Sequence, residues 1–309
     1  MSEPRRSLRV QRISWEAPGV VSLDLIAPDD SALPAPEPGA HLDLHLPGGI
    51  TRPYSLCGES GWRVAVREIA DGRASRFIHR ELRVGAIIEA TGPRNNFRFD
   101  AAQHYLFIAG GIGITPLLPM LRAATRAGAT WELHLCTHDA DAPLIAEARA
   151  AGGTVHHHIS TQGTRLDVAE LLATPRAGTL VYCCGPAGLM LAVEQAGAHW
   201  PAGSLRFEWF AARPGAQDGA QDSFELLCAA SGHRAMVSAG VSVLETLRGF
   251  GLDVPSSCEQ GVCGTCECRV LEGSVDHRDS ILSAAERAEG RVMMTCVSRA
   301  ASPRLVLDI

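Results

Sequence analysis

Hydrophobic and polar positions change rhythm twice along the 309 residues. From residue 8 to about 100 the apolar positions alternate. LRVQRISWEAPGVVSLDLIAP does so loosely, and GAHLDLHLPGG cleanly, through Leu42, Leu44 and Leu46 before a Pro-Gly-Gly turn. A period of two with frequent turn residues predicts short strands in an antiparallel barrel or sandwich. From about 101 to 211, HYLFIAGGIGITPLLPMLRAATRAG reads as an apolar strand, a glycine turn and a helix. TWELHLCTH, GTVHHHIS and GTLVYCCGP read as further strands, with helical LIAEARAAG and LDVAELLA between them. Strands alternating with helices predict a parallel sheet. The stretch AARPGAQDGAQDS (211–223) has no apolar period and a turn-rich composition, which predicts a linker. A third unit follows to the C-terminus, and the chain length suits two or three domains.

Composition narrows the class. A hydrophobic fraction of 46% and a charged fraction of 20% are those of a globular protein. A net charge of −6 argues against nucleic acid as a partner. The start MSEPRRSLRV lacks the apolar run of a signal peptide. No stretch approaches the ~20 apolar residues of a membrane span. The expectation is a soluble, cytoplasmic monomer with no membrane partner. In a reducing compartment, ten cysteines point to metal rather than disulfides.

Five of the cysteines cluster late. Cys258-x4-Cys263-x2-Cys266, with Cys296 further on, is the spacing of a plant-type 2Fe–2S site. Four thiolates must converge on two irons, and Gly261 and Gly264 allow the close turns this needs. A zinc ribbon would pair two C-x2-C knuckles, and Cys263/Cys266 is a single one. Cys268 is read as structural. Cys57, Cys136, Cys183, Cys184 and Cys228 sit in apolar surroundings and are read as small hydrophobes.

The segment SVLETLRGFGLDVPSSCEQGVCGTCECRVLEG, then MTCVS, resembles plant-type ferredoxins, including an apolar helix (Val243, Leu244, Leu247) before the cysteines. Arg52-Pro53-Tyr54-Ser55-Leu56 resembles the R-x-Y-S/T motif of the ferredoxin reductase superfamily. Gly110-Gly111-Ile112-Gly113-Ile114-Thr115-Pro116 resembles that superfamily's G-G-x-G-x-T-P, and Cys184-Gly185-Pro186 its C-G-P. With YCCGPAGLM, DHRDSIL and CVSRA, nearly the whole chain resembles the phthalate dioxygenase reductase family, which includes vanillate demethylase reductases.

The resemblance implies three domains: an antiparallel β-barrel flavin domain (1–100), an α/β parallel-sheet NAD(P) domain (101–211) and, after a linker (212–223), an α+β, β-grasp-like ferredoxin (224–309). It implies FMN held by Arg52, Tyr54, Ser55, Leu56, Val66, Arg67, Gly72, Arg73 and Ser75. Tyr54 would pack on the isoalloxazine, Ser55 would approach N5, and Arg52 would pair with the phosphate. NADH would lie against Gly110, Gly111, Gly113, Thr115, Pro116, Cys184, Gly185 and Pro186, with Phe210 an aromatic near the flavin. The cluster ligands would be Cys258, Cys263, Cys266 and Cys296.

Two stretches depart from the family pattern. The phosphate loop reads Asp71-Gly72-Arg73-Ala74-Ser75 where relatives have G-R-G-G-S. The stretch expected at the adenine ribose reads His156-His157-His158-Ile159-Ser160-Thr161 and holds no carboxylate, so Ser160, Thr161 and Arg165 would tolerate NADPH beside NADH. The three histidines can be read as a metal site, or as residues alternating along a strand toward solvent, ribose or core.

The sequence carries no catalytic triad or mononuclear iron site, so no catalytic residue beyond the cofactors is expected. Substrate oxidation would then fall to a separate terminal oxygenase, a Rieske-type aromatic oxygenase or O-demethylase met transiently. A haem-thiolate monooxygenase is the alternative acceptor. A ferredoxin-like carrier with an inactive flavin region is a third reading.

Overall fold

The computed structural model describes residues 4–59, 61–219 and 222–309. The chain divides into two compact units, with the break between Glu208 and Trp209. The last strand of the first unit, Leu205–Glu208, ends at that break.

In the first unit, β1 (Arg6–Ala17), β2 (Val20–Ile26), β3 (His41–Leu46), β4 (Ile50–Ser55), β5 (Trp62–Arg67) and β6 (Ile87–Arg94) form an antiparallel sheet. Its order is β4-β3-β6-β1-β2-β5. A bridge between Leu56 and Val64, and a 2.7 Å hydrogen bond from Cys57 N–H to Arg63 C=O, join its two edges. The sheet therefore curls into a barrel whose edge strands meet at this point. Leu8, Leu23, Leu42, Leu44, Trp62 and Val64 fill it, and α1 (Arg73–Arg80) packs Ile78 into the same core. The alternation seen in β3 is stricter in sequence than in burial. Its polar residues His41 and Asp43 are buried too, Asp43 through an ion pair with Arg94.

A second sheet combines β7 (His104–Gly110), β8 (Thr130–Thr137), β9 (Thr154–Ile159), β10 (Thr179–Cys184) and β11 (Leu205–Glu208), all parallel, in the order β11-β10-β7-β8-β9. The crossovers carry α2 (Ile114–Arg126), α3 (Ile145–Ala150), α4 (Val168–Leu171) and α5 (Ala187–Ala196). Strand order reverses between β7 and β10, which opens a crevice at their carboxyl ends where open α/β sheets bind ligands. Barrel and sheet share one core: Ala17, Val20, Cys57 and Ala65 pack with Phe107, Leu117 and Tyr182. Polar ties run alongside. Arg63 and Arg122 share Glu147 at 2.6 and 2.5 Å, and Arg122 donates to Cys57 C=O at 3.1 Å.

The second unit holds β12 (Phe224–Cys228), β13 (Arg234–Val237), α6 (Val243–Gly249), β14 (Glu267–Glu272), β15 (Val275–Asp276), α7 (Ala284–Glu289), β16 (Val292–Met294), β17 (Arg299–Ala300) and β18 (Arg304–Leu307). Its main sheet runs β13-β12-β18-β14-β16, with β12 parallel to β18 and the other pairs antiparallel. Ser242 and Glu245 form a capping box on α6, which buries Val243, Leu244 and Leu247 as the apolar pattern predicts.

Candidate functional site

The crevice is built by glycine. β7 ends at Gly110, and the chain turns through Gly111–Gly113 into α2. A Cβ on Gly110 would stand 2.3 Å from Pro186 Cδ, and one on Gly113 would stand 2.2 Å from Cys184 O. One on Gly185 would meet Gly110 N at 2.8 Å. The two loops thus touch backbone to backbone, and side chains at these positions would push them apart. Gly111 has φ +53°, with open space where a side chain would project. Thr115 and Pro116 are buried, and the Thr115 hydroxyl donates to Ile112 C=O at 2.9 Å. Cys184 is fully buried and pairs in register with Ala109 on one side and Glu208 on the other. Burial, then the neighbouring Glu208, raise its thiol pKa well above the ordinary range.

The barrel strand β4 ends beside this crevice. Ser55 is buried, and its hydroxyl donates to Glu208 Oε2 at 3.3 Å. Burial of the Glu208 carboxyl pushes its pKa up to about 8, against a smaller opposite pull from Ser55. Tyr54 packs on the barrel core, and burial raises its hydroxyl pKa to about 12. Leu56 and Val66 point into the core, so they offer a surface ligand only backbone atoms. Of those, Leu56 N–H donates to Ala40 C=O at 2.8 Å, and Val66 C=O lies 2.9 Å from His79 Nε2. Arg52, Arg67 and Arg73 are exposed, with Gly72 capping α1 just before Arg73. The Ser75 hydroxyl accepts from Ile69 N–H at 3.0 Å and donates to Gly72 C=O at 3.2 Å, which closes the turn.

Glu208 is the residue that sequence reasoning passed over, a carboxylate closing the short strand LRFE. Carboxylates near the ribose stretch were also missed. Thr161 N–H donates to His138 C=O at 3.1 Å, so the 160–162 turn adjoins the loop carrying exposed Asp139 and Asp141. Phe210 falls in the second unit and is exposed.

In that second unit the four spaced cysteines converge. The thiols of Cys258 and Cys263 hydrogen-bond each other, as do those of Cys266 and Cys296. Cys258, Cys263 and Cys266 are buried. The hydrogen bond from Cys258 lowers the Cys263 thiol pKa, and that from Cys296 lowers the Cys266 thiol pKa. Gln260 N–H donates to Cys258 Sγ at 3.3 Å, and Thr265 Oγ1 lies 3.2 Å from Cys263 Sγ. Gly261 has φ +69°, and a Cβ there would stand 2.6 Å from Val297 Cγ2 and 3.0 Å from Asp279 Cα. Four sulfurs brought together with donors aimed at them fit an iron–sulfur cluster. Cys268 points elsewhere. It packs among Phe224, Leu226 and Met293, and burial raises its thiol to about 12.

A barrel joined to a parallel sheet with a glycine-built crevice, followed by a β-grasp-like unit with four convergent cysteines, defines an iron–sulfur oxidoreductase of the ferredoxin-reductase type. Residues 227–301 match the model of the 2Fe-2S iron-sulfur cluster binding domain. The chain is 41% identical over 313 residues to phenoxybenzoate dioxygenase subunit beta of Ectopseudomonas oleovorans, covering 98% of this chain and 97% of that one. It is similar to the solved structure of phthalate dioxygenase reductase (33% identity, TM-score 0.70, 99% of this chain and 98% of that one). It is also similar to part of an intact type IV self-sufficient cytochrome P450 monooxygenase (37% identity, TM-score 0.90). There it covers 99% of this chain but spans only 41% of the other. The chain belongs to the phthalate dioxygenase reductase-like family of oxygenase reductases.

Proposed function

We propose that this chain takes electrons from NADH, passes them through FMN to a 2Fe–2S cluster, and delivers them to a separate terminal oxygenase. The observation that carries this reading is the meeting of the 110–113 loop, the 184–186 loop and the Ser55–Glu208 pair at the switch point of one sheet. When bound, flavin and cluster together supply the redox chemistry that turns a two-electron hydride into single-electron deliveries.

The chain's own work is placement. Gly110, Gly113 and Gly185 keep the two loops close enough to form one crevice, and Gly111 leaves room over it for a nucleotide. Arg52 and Arg73 are exposed guanidiniums suited to a phosphate. Tyr54 offers a ring at the barrel rim. Ser55 and Glu208 hold a proton between them at the buried end of the site. Cys258, Cys263, Cys266 and Cys296 would ligate the cluster. On this reading residues 1–100 hold FMN, 101–211 hold the nicotinamide nucleotide, and 224–309 hold the cluster. The 212–223 stretch is the linker, of which Ala220 and Gln221 lie outside the described residues. Asp139 and Asp141 would repel a 2′-phosphate and favour NADH.

We place the protein in the cytoplasm as a monomer. None of its ten cysteines is joined in a disulfide, and among the described residues no helix is long and apolar enough to cross a membrane. A Rieske-type aromatic oxygenase or O-demethylase is the acceptor we favour. The likeness to a cytochrome P450 monooxygenase supports a second acceptor, a separate haem monooxygenase.

Purified protein should be coloured, reduce dyes with NADH, and release FMN on denaturation with two irons retained per chain before it. Extracted FAD would overturn the flavin assignment. Failure to reduce dyes with NADH would leave a simple electron carrier.

A further inference from the structure

Away from the crevice, the outer strand pair β8 and β9 carries a second cluster of metal-binding side chains. In their parallel register His134 stands opposite His156, and Cys136 opposite His158. Strand periodicity therefore puts Glu132, His134, His156 and His158 on one face. His157 turns to the other face, where its Nε2 lies 2.7 Å from Thr137 Oγ1.

The imidazoles of His134 and His156 stack, with centroids 4.6 Å apart and planes at 24°. Glu132 Oε2 lies 3.6 Å from His134 Nε2 and 3.8 Å from His156 Nε2. One donor atom from each of the three residues lies within 4.8 Å of the others. Two ligands about 2.1 Å from a tetrahedral zinc stand about 3.4 Å apart. The two oxygen–nitrogen separations are within a few tenths of an ångström of that spacing.

His134 is 8% exposed, and its Nε2 has no hydrogen-bond partner among the described residues. At 3.6 Å the Glu132 oxygen is too far to serve as one. Buried polar atoms in folded proteins are nearly always partnered. The other nitrogen of the same ring, Nδ1, lies 3.0 Å from His158 Nε2. With Nδ1 as the donor in that contact, the lone pair is on Nε2, facing the cluster. The other Glu132 oxygen accepts from Arg176 at 2.6 Å, which fixes the carboxylate.

We propose that Glu132 Oε2, His134 Nε2 and His156 Nε2 bind a divalent transition cation of the zinc class. Two imidazoles and a carboxylate are a zinc donor set, with water at the fourth, exposed position. His158 and Arg176 orient the ligands from behind, as outer partners of metal sites do. The cation would clamp the edge strand β9 to β8 and partner the buried nitrogen.

The test uses full-length protein with flavin and cluster loaded, chelator-treated, then dialysed against Zn²⁺ with iron assayed in parallel. One zinc should bind per chain with the iron content unchanged, and zinc should raise the thermal unfolding midpoint. His156→Gln should weaken binding at least about tenfold and abolish the thermal shift, whereas His157→Gln on the opposite face should stay within about twofold of wild type. His156 is exposed, so its variant reports on binding even if the buried His134→Gln fails to fold. The proposal fails if zinc does not saturate, if it binds only as iron is lost, or if His156→Gln binds as tightly as wild type.

Discussion

A glutamate ionises near pH 4.3 when free in water, but burial of its carboxyl moves Glu208 to about 8. Both folded and unfolded chains hold this proton below pH 4.3. Between the two values only the folded chain keeps it, so stability falls as pH rises, and it levels off once pH passes the folded value. The slope is on the order of 1 kcal/mol per pH unit. Glu208→Gln removes the titration, so its urea unfolding free energy between pH 5 and 8 should fall less steeply than wild type. Parallel curves would mean that the carboxyl is not held neutral. The cysteines permit an equally local test. Cys263→Ser should lose the cluster's iron and absorbance while flavin content survives, because the cysteine lies in the second unit and the flavin motifs in the first. Cys268→Ser should keep the iron, since that thiol lies in the apolar core behind the ligand loop. Iron lost from the Cys268 variant but kept in the Cys263 variant would reverse the ligand assignment.

The loop pair at the switch point separates two uses of glycine. Gly113→Ala drives a Cβ to 2.2 Å from Cys184 O, a backbone atom with no flexible end to yield. The two loops must separate, and kcat/KM for NADH should fall at least about tenfold. Gly111→Ala meets nothing within 4 Å, and its φ of +53° costs roughly 1 kcal/mol of stability. A Gly113→Ala protein with normal kinetics would remove the crevice from the account. These loops were legible in the sequence because a strand, a glycine turn and a helix leave a local signature. So were the cluster cysteines, whose spacing is itself the signal. What stayed hidden depends on pairing between distant segments. Ser55 meets Glu208 across 153 positions of sequence, and Asp139 comes near the 160–162 turn through the bond between Thr161 and His138. Glu132 joins the histidines because β8 pairs with β9 in one register. Short-range bonds are hidden as well: the Thr115 and Ser75 hydroxyls donate to Ile112 and Gly72, which no motif spacing announces.

On the proposed reading the two compact units divide the work of the whole chain: the glycine-built crevice lies within one, and the four spaced cysteines within the other. Single electrons for a partner then have one exit. On that reading a plant-type cluster near −400 mV would feed a Rieske centre between about −150 and +300 mV, downhill by at least about 250 mV. A reductase must also leave its partner to be recharged, and redox encounters of that kind bury less than about 1,200 Å². The most direct test is to remove residues 224–309 and assay both ends of the path. The remaining piece should still oxidise NADH with two-electron quinone dyes, yet lose cytochrome c reduction and all support of the terminal oxygenase. If it supports the oxygenase as well as the full chain does, electrons leave without the cluster and the proposed path is wrong.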